Sequence, residues 1–175
     1  YKRLLGVDLN LDDPETFNEK LQWLIVYYAQ NLNHMYTTMA DKVLAKNYVA
    51  EKIGAEHIIP TLGVWDSFDD IDFDKLPQQF VLKTNHDSGG VVVVRDKNKL
   101  DKKAAKHKLE KSLHRSFYWY GREPQYKDIK PKLFAESYMQ DSKSEELRDY
   151  KFYCFNGKPE FLYVSEGMEK HSTAR

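Results

Sequence analysis

The sequence predicts a mixed helix-and-strand protein of the α/β (α+β) class. Helical periodicity near the N-terminus gives way after Gly54 to short apolar runs cut by Pro, Gly and Asp, beginning with Ile58-Ile59-Pro60 and Leu62-Gly63-Val64-Trp65. A polar segment ending in two glycines, Thr84 to Gly90, lies between the β-rich runs Phe80 to Lys83 and Val91 to Val94. An Asn156-Gly157 pair, a strong hairpin signal, separates two further strand-like runs.

The elements follow in order. Asp12-Asp13-Pro14-Glu15 reads as a helix start, with an N-cap acid and Pro at the first position. Phe17, Leu21, Leu24, Ile25 and Tyr28 form one apolar face behind it, so a helix is expected from about Pro14 to about Asn31. Thr38 to Asp41 resembles a capping box opening a second helix through Leu44, Tyr48, Val49 and Ile53, and Gly54 sits where a C-cap glycine belongs. Lys97 to Phe117 carries Ala105, Leu109, Leu113 and Phe117 at four-residue steps and is expected to be one helix with a lysine-rich outer face. Strands are expected at Lys132 to Tyr138, Asp149 to Phe155 and Pro159 to Val164.

With 27 Lys and Arg against 27 Asp and Glu, the chain has zero formal net charge, so no global field draws it to nucleic acid or an acidic membrane and any anion site is local. The lysines from Lys97 to Lys111 are interleaved with Asp101 and Glu110, as on a solvated helix face, and no stacking platform for nucleic acid accompanies them. Cys154 is the single cysteine, which excludes an internal disulfide and makes the cytoplasm the expected location. It lies on the apolar side of its strand, where buried packing is expected. No transmembrane segment is expected, since no apolar stretch approaches the roughly 20 residues that span a bilayer. The start at Tyr1 and the end after a polar stretch suggest a fragment.

Several residues stand out chemically. Glycines in the 84–90 loop let the backbone approach a phosphate, and Lys83 ends an apolar strand where its ammonium needs an anion or solvent. A plain hairpin with a solvated lysine explains the same residues. This is not a Walker loop, because Gly-Lys-Ser/Thr is absent. Asp41 reads first as a capping acid and Lys42 as a surface residue, although a lysine there could add charge to the same phosphates. Glu136 interrupts an apolar strand, as a strand-edge acid or as a ligand-holding one. In a strand Asp149, Lys151 and Tyr153 share one face, either as a ligand-facing surface or as a structural ion pair. His86 in the loop is a candidate anion donor or general base. The remaining histidines show no metal-ligand spacing.

Taken in order, Asp41-Lys42, Ile58-Ile59-Pro60, Val81-Leu82-Lys83 with its Gly-rich loop, and Phe134-Ala135-Glu136-Ser137-Tyr138 resemble the ATP-grasp pattern. More narrowly, Pro14 to Trp23, Leu62 to Asp66, Leu76-Pro77 through His86 and Asp149 to Pro159 are similar to the TupA-like ATP-grasp family of bacterial teichuronopeptide and surface-polysaccharide biosynthesis. The resemblance implies two lobes around a nucleotide cleft behind an N-terminal helical segment. The segment would span 1–57, the first lobe with its flap 58–121, and the incomplete second lobe 122–175. It implies that Lys42 and Lys83 contact ATP phosphates, that Ser88, Gly89 and Gly90 form a flap over them, and that Glu136 with the backbone of Ser137, Tyr138 and Met139 holds adenine; the loop from Thr84 to Gly90, with little apolar area to anchor it, is expected to be more mobile than its flanking strands. Asp149 and Lys151 would line the cleft floor. The Mg²⁺ ligands of the family are expected on strands beyond this chain. The implied chemistry is phosphoryl transfer from ATP to a carboxylate, then attack of an amine on the acyl phosphate, the unknown acid and amine being linked to a surface glycan. A glycosyltransferase-type role in a polysaccharide cluster and a non-catalytic nucleotide-binding domain are the alternatives.

Overall fold

The computed structural model describes residues 1–31, 33–141 and 147–165, which divide into two compact units, 1–137 and the part beginning at Tyr138. In the first unit, helices α1 (Lys2–Leu5), α2 (Phe17–Gln30), α3 (His34–Ala40) and α4 (Lys42–Ile53) precede strands β1 (Thr61–Trp65), β2 (Phe80–Thr84) and β3 (Val91–Val94). Helices α5 (Lys102–Leu113) and α6 (Phe117–Gly121) and strand β4 (Leu133–Ser137) complete it.

Three helix boundaries differ from the sequence expectation, each for a local reason. Asp12 and Asp13 are held outside α2 because their backbone N–H groups donate to Asn10 Oδ1. The cap is Thr16, whose hydroxyl accepts from Glu19 N while the Glu19 carboxylate accepts from Thr16 N, a reciprocal capping box. Thr38 lies inside α3, and the chain breaks instead at Asp41, whose Oδ1 accepts from Val43 N and Leu44 N to start α4. The expected helix from Lys97 is divided, because Asp96 caps a 3-10 turn at 97–99, Asp101 caps α5, and α6 starts anew after Ser116. Lys97 is not on a solvated face: its ammonium donates to Phe73 O at 3.0 Å and to Leu76 O at 2.6 Å.

The four strands form one antiparallel sheet in the order β1-β4-β2-β3. β4 pairs with both β1 and β2, which ties it to the first unit. Strand alternation then sorts the side chains. Phe80 and Leu82 of β2 and Leu133 and Ala135 of β4 point to one side, where Leu109 and Ala105 of α5, Phe68, Ile71 and Leu76 complete the core. Lys83 and Glu136 occupy the opposite side.

The second unit contributes β5 (Asp149–Phe155) and β6 (Lys158–Ser165), an antiparallel hairpin. Asn156 (φ 49°) and Gly157 (φ 76°) both take the left-handed conformation that a tight two-residue hairpin turn requires. Cys154 is exposed rather than buried, as are Tyr153 and Phe155 beside it.

Candidate functional site

The site is built on the sheet face opposite the core. Lys42 and Lys46 are one helical turn apart on α4, so both side chains reach the same surface. Lys46 donates to Glu136 Oε2 at 2.7 Å and lies 5.5 Å from the Phe134 ring centroid. Lys83 donates to the other carboxylate oxygen of Glu136, Oε1. β2 and β4 are neighbours in the sheet, with Val81 opposite Glu136 and Lys83 diagonal to it. Burial pushes the Glu136 carboxyl up, but hydrogen bonds from Lys46 and Lys83, with their charges, outweigh that and hold it below its ordinary value.

The Lys42 ammonium donates to Thr84 O at 3.2 Å, to Asn85 O at 3.4 Å and to Asp87 O. Burial pushes its pKa down against the attraction of Asp87, and the positive charge of Lys83 adds to the lowering. An anion arriving nearby would reverse that penalty.

The glycine loop is anchored rather than loose. Asn85, fully buried, bonds through its side chain to Asp41 Oδ2, Lys130 O and Lys132 N at 2.8, 3.0 and 2.8 Å. The Asp87 carboxylate accepts from the hydroxyls of Thr84 and Ser112. A Cβ on Gly90 would collide with Thr84 Oγ1 and Ser112 Oγ, so this glycine serves close packing. Only Ser88 and Gly89 are exposed, and Gly89 (φ 109°) has open space where a Cβ would stand. The exposed part of the loop is therefore confined to this tip. His86 is turned inward: it is 3 % exposed, and Nε2 donates to Arg115 O at 3.0 Å, which leaves Nδ1 without a partner among the described residues. It does not reach the cavity.

Lys42, Lys83, Asp87, Ser88 and Gly89 line one cavity of about 330 Å³, with Ala40, Phe117 and Tyr126 as apolar walls. The structure thus joins Lys42, Lys83, Ser88 and Gly89, with Glu136 directly behind Lys83. Ser137 ends the first unit, its N–H donating to Pro60 O at 3.0 Å. Tyr138, Met139, Asp149 and Lys151 belong to the second unit, where Asp149 and Lys151 form an ion pair on one strand face. Sequence reasoning missed Lys46, although its position four residues after Lys42 was a usable signal, and it missed Phe117 and Tyr126, which had none.

Two lysines, a glycine tip and open volume fit phosphate oxygens. Among the described residues no three His, Cys, Asp or Glu side chains come together as metal ligands, and Asp87 is already engaged, so these residues do not form a magnesium site. Among the described residues no helix is long and apolar enough to cross a membrane.

The fold and this cavity define an α+β domain with a local cavity lined by two lysines. The model of the TupA-like ATPgrasp family matches residues 19–172, and the chain belongs to that family. No curated protein and no solved structure matches it.

Proposed function

We propose that this chain binds ATP with its phosphates in the cavity between Lys42, Lys83 and the Ser88-Gly89 tip. It then serves as the nucleotide-binding part of an ATP-dependent carboxylate–amine ligase of bacterial surface-polysaccharide biosynthesis, working in the cytoplasm. The observation that carries this reading is the convergence of two lysines and Gly89 on one cavity of about 330 Å³ in a chain of the ATP-grasp family. ATP, when bound, supplies the phosphoryl group that activates the acid. Lys83 is partly exposed and can share its ammonium between Glu136 and a phosphate oxygen. Lys42 gains from a neighbouring anion what burial costs it. The Ser88-Gly89 backbone covers the phosphates and limits water. Glu136 keeps Lys83 oriented.

The test is a thermal-shift titration with ATP, AMP and UDP-glucose, each with and without Mg²⁺, because a ligand of the folded state raises apparent stability. ATP is expected to raise Tm more than AMP does. A preference for UDP-glucose points to sugar transfer instead, and no response to any nucleotide overturns the reading.

A further inference from the structure

Strand β3 stands at the end of the sheet order β1-β4-β2-β3, so among the described residues one of its edges has no strand beside it. Its other edge pairs regularly with β2. Thr84 N donates to Gly90 O at 2.9 Å, and antiparallel alternation from that bond turns the main chain of Val92 and Val94 toward β2 and that of Val93 outward. Natural edges are blunted by lysine, proline or a bulge, whereas β3 is four valines in unbroken register, with Val93 37 % exposed. A groove of about 600 Å³ opens between this strand and α5, with Val92, Leu100 and Ala104 as apolar floor and Lys99 and Lys108 among its walls. The acids in the groove are committed to their own backbone: Asp96 accepts from Asn98 N and Asp101 from Ala104 N. Helix α5 as a whole carries five lysines against one glutamate.

We propose that this edge is a docking site for an extended acidic segment of a partner protein, which adds to β3 as a fifth strand of the sheet. Its main chain bonds the outward N–H and C=O of Val93, and its alternate side chains all fall on the α5 side. There acids meet Lys99, Lys108 and, three residues further along the same helix face, Lys111. A second copy of this chain is the other occupant an unprotected edge could take, and charge decides against it. Antiparallel pairing of β3 with its own image, about a two-fold axis normal to the sheet, brings both copies of α5 to one side of the joined sheet. Each carries a surplus of lysines, so like charges oppose that pairing, whereas the same lysines attract an acidic strand. Apart from Val91 the groove shares no lining residue with the lysine cavity, so the docking surface does not depend on where a nucleotide binds.

The probe is an end-blocked heptapeptide alternating glutamate and valine. It is compared with the same peptide carrying lysine for glutamate and with an N-methylated form that cannot donate main-chain hydrogen bonds. Binding to the full chain is followed by fluorescence anisotropy and by NMR. The glutamate peptide is expected to bind, to move the amide signal of Val93 and the methyl signals of Val92 and Ala104, and to bind about tenfold or more tighter than the lysine peptide at low salt, since several exposed charge contacts add and salt screens them. The N-methylated form should not bind. Lys108→Glu is expected to weaken the glutamate peptide roughly fivefold and to improve the lysine peptide, a reversal that a general loss of structure does not produce. Val93→Pro removes the outward donor without touching the β2 ladder and should abolish binding. The proposal is overturned if the glutamate peptide does not bind, if the lysine or N-methylated peptide binds equally well, or if the signals that move are those of Ser88 and Gly89 instead. It also fails if sedimentation shows the chain alone to be a dimer that Val93→Pro splits, because a second copy then takes the edge. Should Val93→Pro not fold, the N-methylated peptide and the Lys108→Glu reversal decide.

Discussion

Glu136 on β4 and Lys83 on β2 meet as an ion pair on the sheet face turned away from the core, and Lys46 holds the second carboxylate oxygen at 2.7 Å. One carboxylate is thus shared between two ammonium groups, while Lys42, one helical turn before Lys46 on α4, feels the attraction of Asp87 and Asp41. Lys83 is thereby fixed in direction before any ligand arrives, so less side-chain entropy remains to be lost on binding.

Lys83→Met is expected to weaken ATP binding by about tenfold to hundredfold, because one charge-assisted contact of roughly 1.5–3 kcal/mol is lost while the apolar stem remains. The variant should also melt slightly lower, since Glu136 keeps only Lys46. Lys97→Met is unsuitable as a control because Lys97 bonds the backbone at Phe73 and Leu76. Exposed Lys103 serves instead, and Lys103→Met should bind ATP as wild type does in a calorimetric titration. Equal affinity of the Lys83 and Lys103 variants would remove Lys83 from the site.

The lowered Glu136 pKa fixes the sign of a pH effect. The unfolded carboxyl binds its proton at a higher pH than the folded one, so stability from this group is present above roughly pH 4 and is lost as pH falls through the folded pKa. Glu136→Gln lacks this contribution. The Tm difference between wild type and variant should therefore be largest near neutrality and shrink in acid, and a difference that stays constant from neutral to acid pH contradicts the ion-pair account.

Gly89 and Gly90 should separate fold from binding. Gly90→Ala drives a methyl into Thr84 and Ser112, which are held by buried hydrogen bonds, and overpacking of this kind costs about 1–3 kcal/mol. Gly89→Ala meets no neighbour, and its strained backbone can relax at the exposed tip, so its larger effect should fall on ATP affinity. Melting curves and ATP titrations of both variants check this, and the reverse ranking counts against the tip as the phosphate cover.

The class of fold was legible because the β-rich run from Phe80 and the helical spacing from Phe17 to Tyr28 survive into the structure as β2 and α2. The turn at Asn156-Gly157 was legible because it needs two left-handed residues. The helix starts were misplaced because side-chain acceptors compete: Asn10 captures Asp12 and Asp13, and Asp41 outbids Thr38. In the site, Lys83 and Glu136 could be singled out as charges on apolar strands, but their union depends on β4 pairing with β2 across about fifty residues of chain. The inward turn of His86 depends likewise on Arg115, which no local pattern links to it.

Asn85 joins the distant parts of the site and supplies the last prediction. Its amide donates to Asp41 Oδ2 and Lys130 O and accepts from Lys132 N, while its backbone carbonyl accepts from Lys42 N and its N–H donates to Lys132 O. One side chain therefore ties the cap of α4, the entry to β4 and the base of the glycine loop. Asn85→Ala leaves these buried partners unpaired at a cost of about 1–3 kcal/mol for each group that water cannot reach. Asn85→Asp keeps the shape and the acceptor but places a carboxylate beside Asp41, so it should be at least as damaging at neutral pH and milder in acid. Denaturant unfolding of both variants at two pH values measures this. If Asn85→Ala unfolds within experimental error of wild type, the positioning of Lys42 does not depend on Asn85.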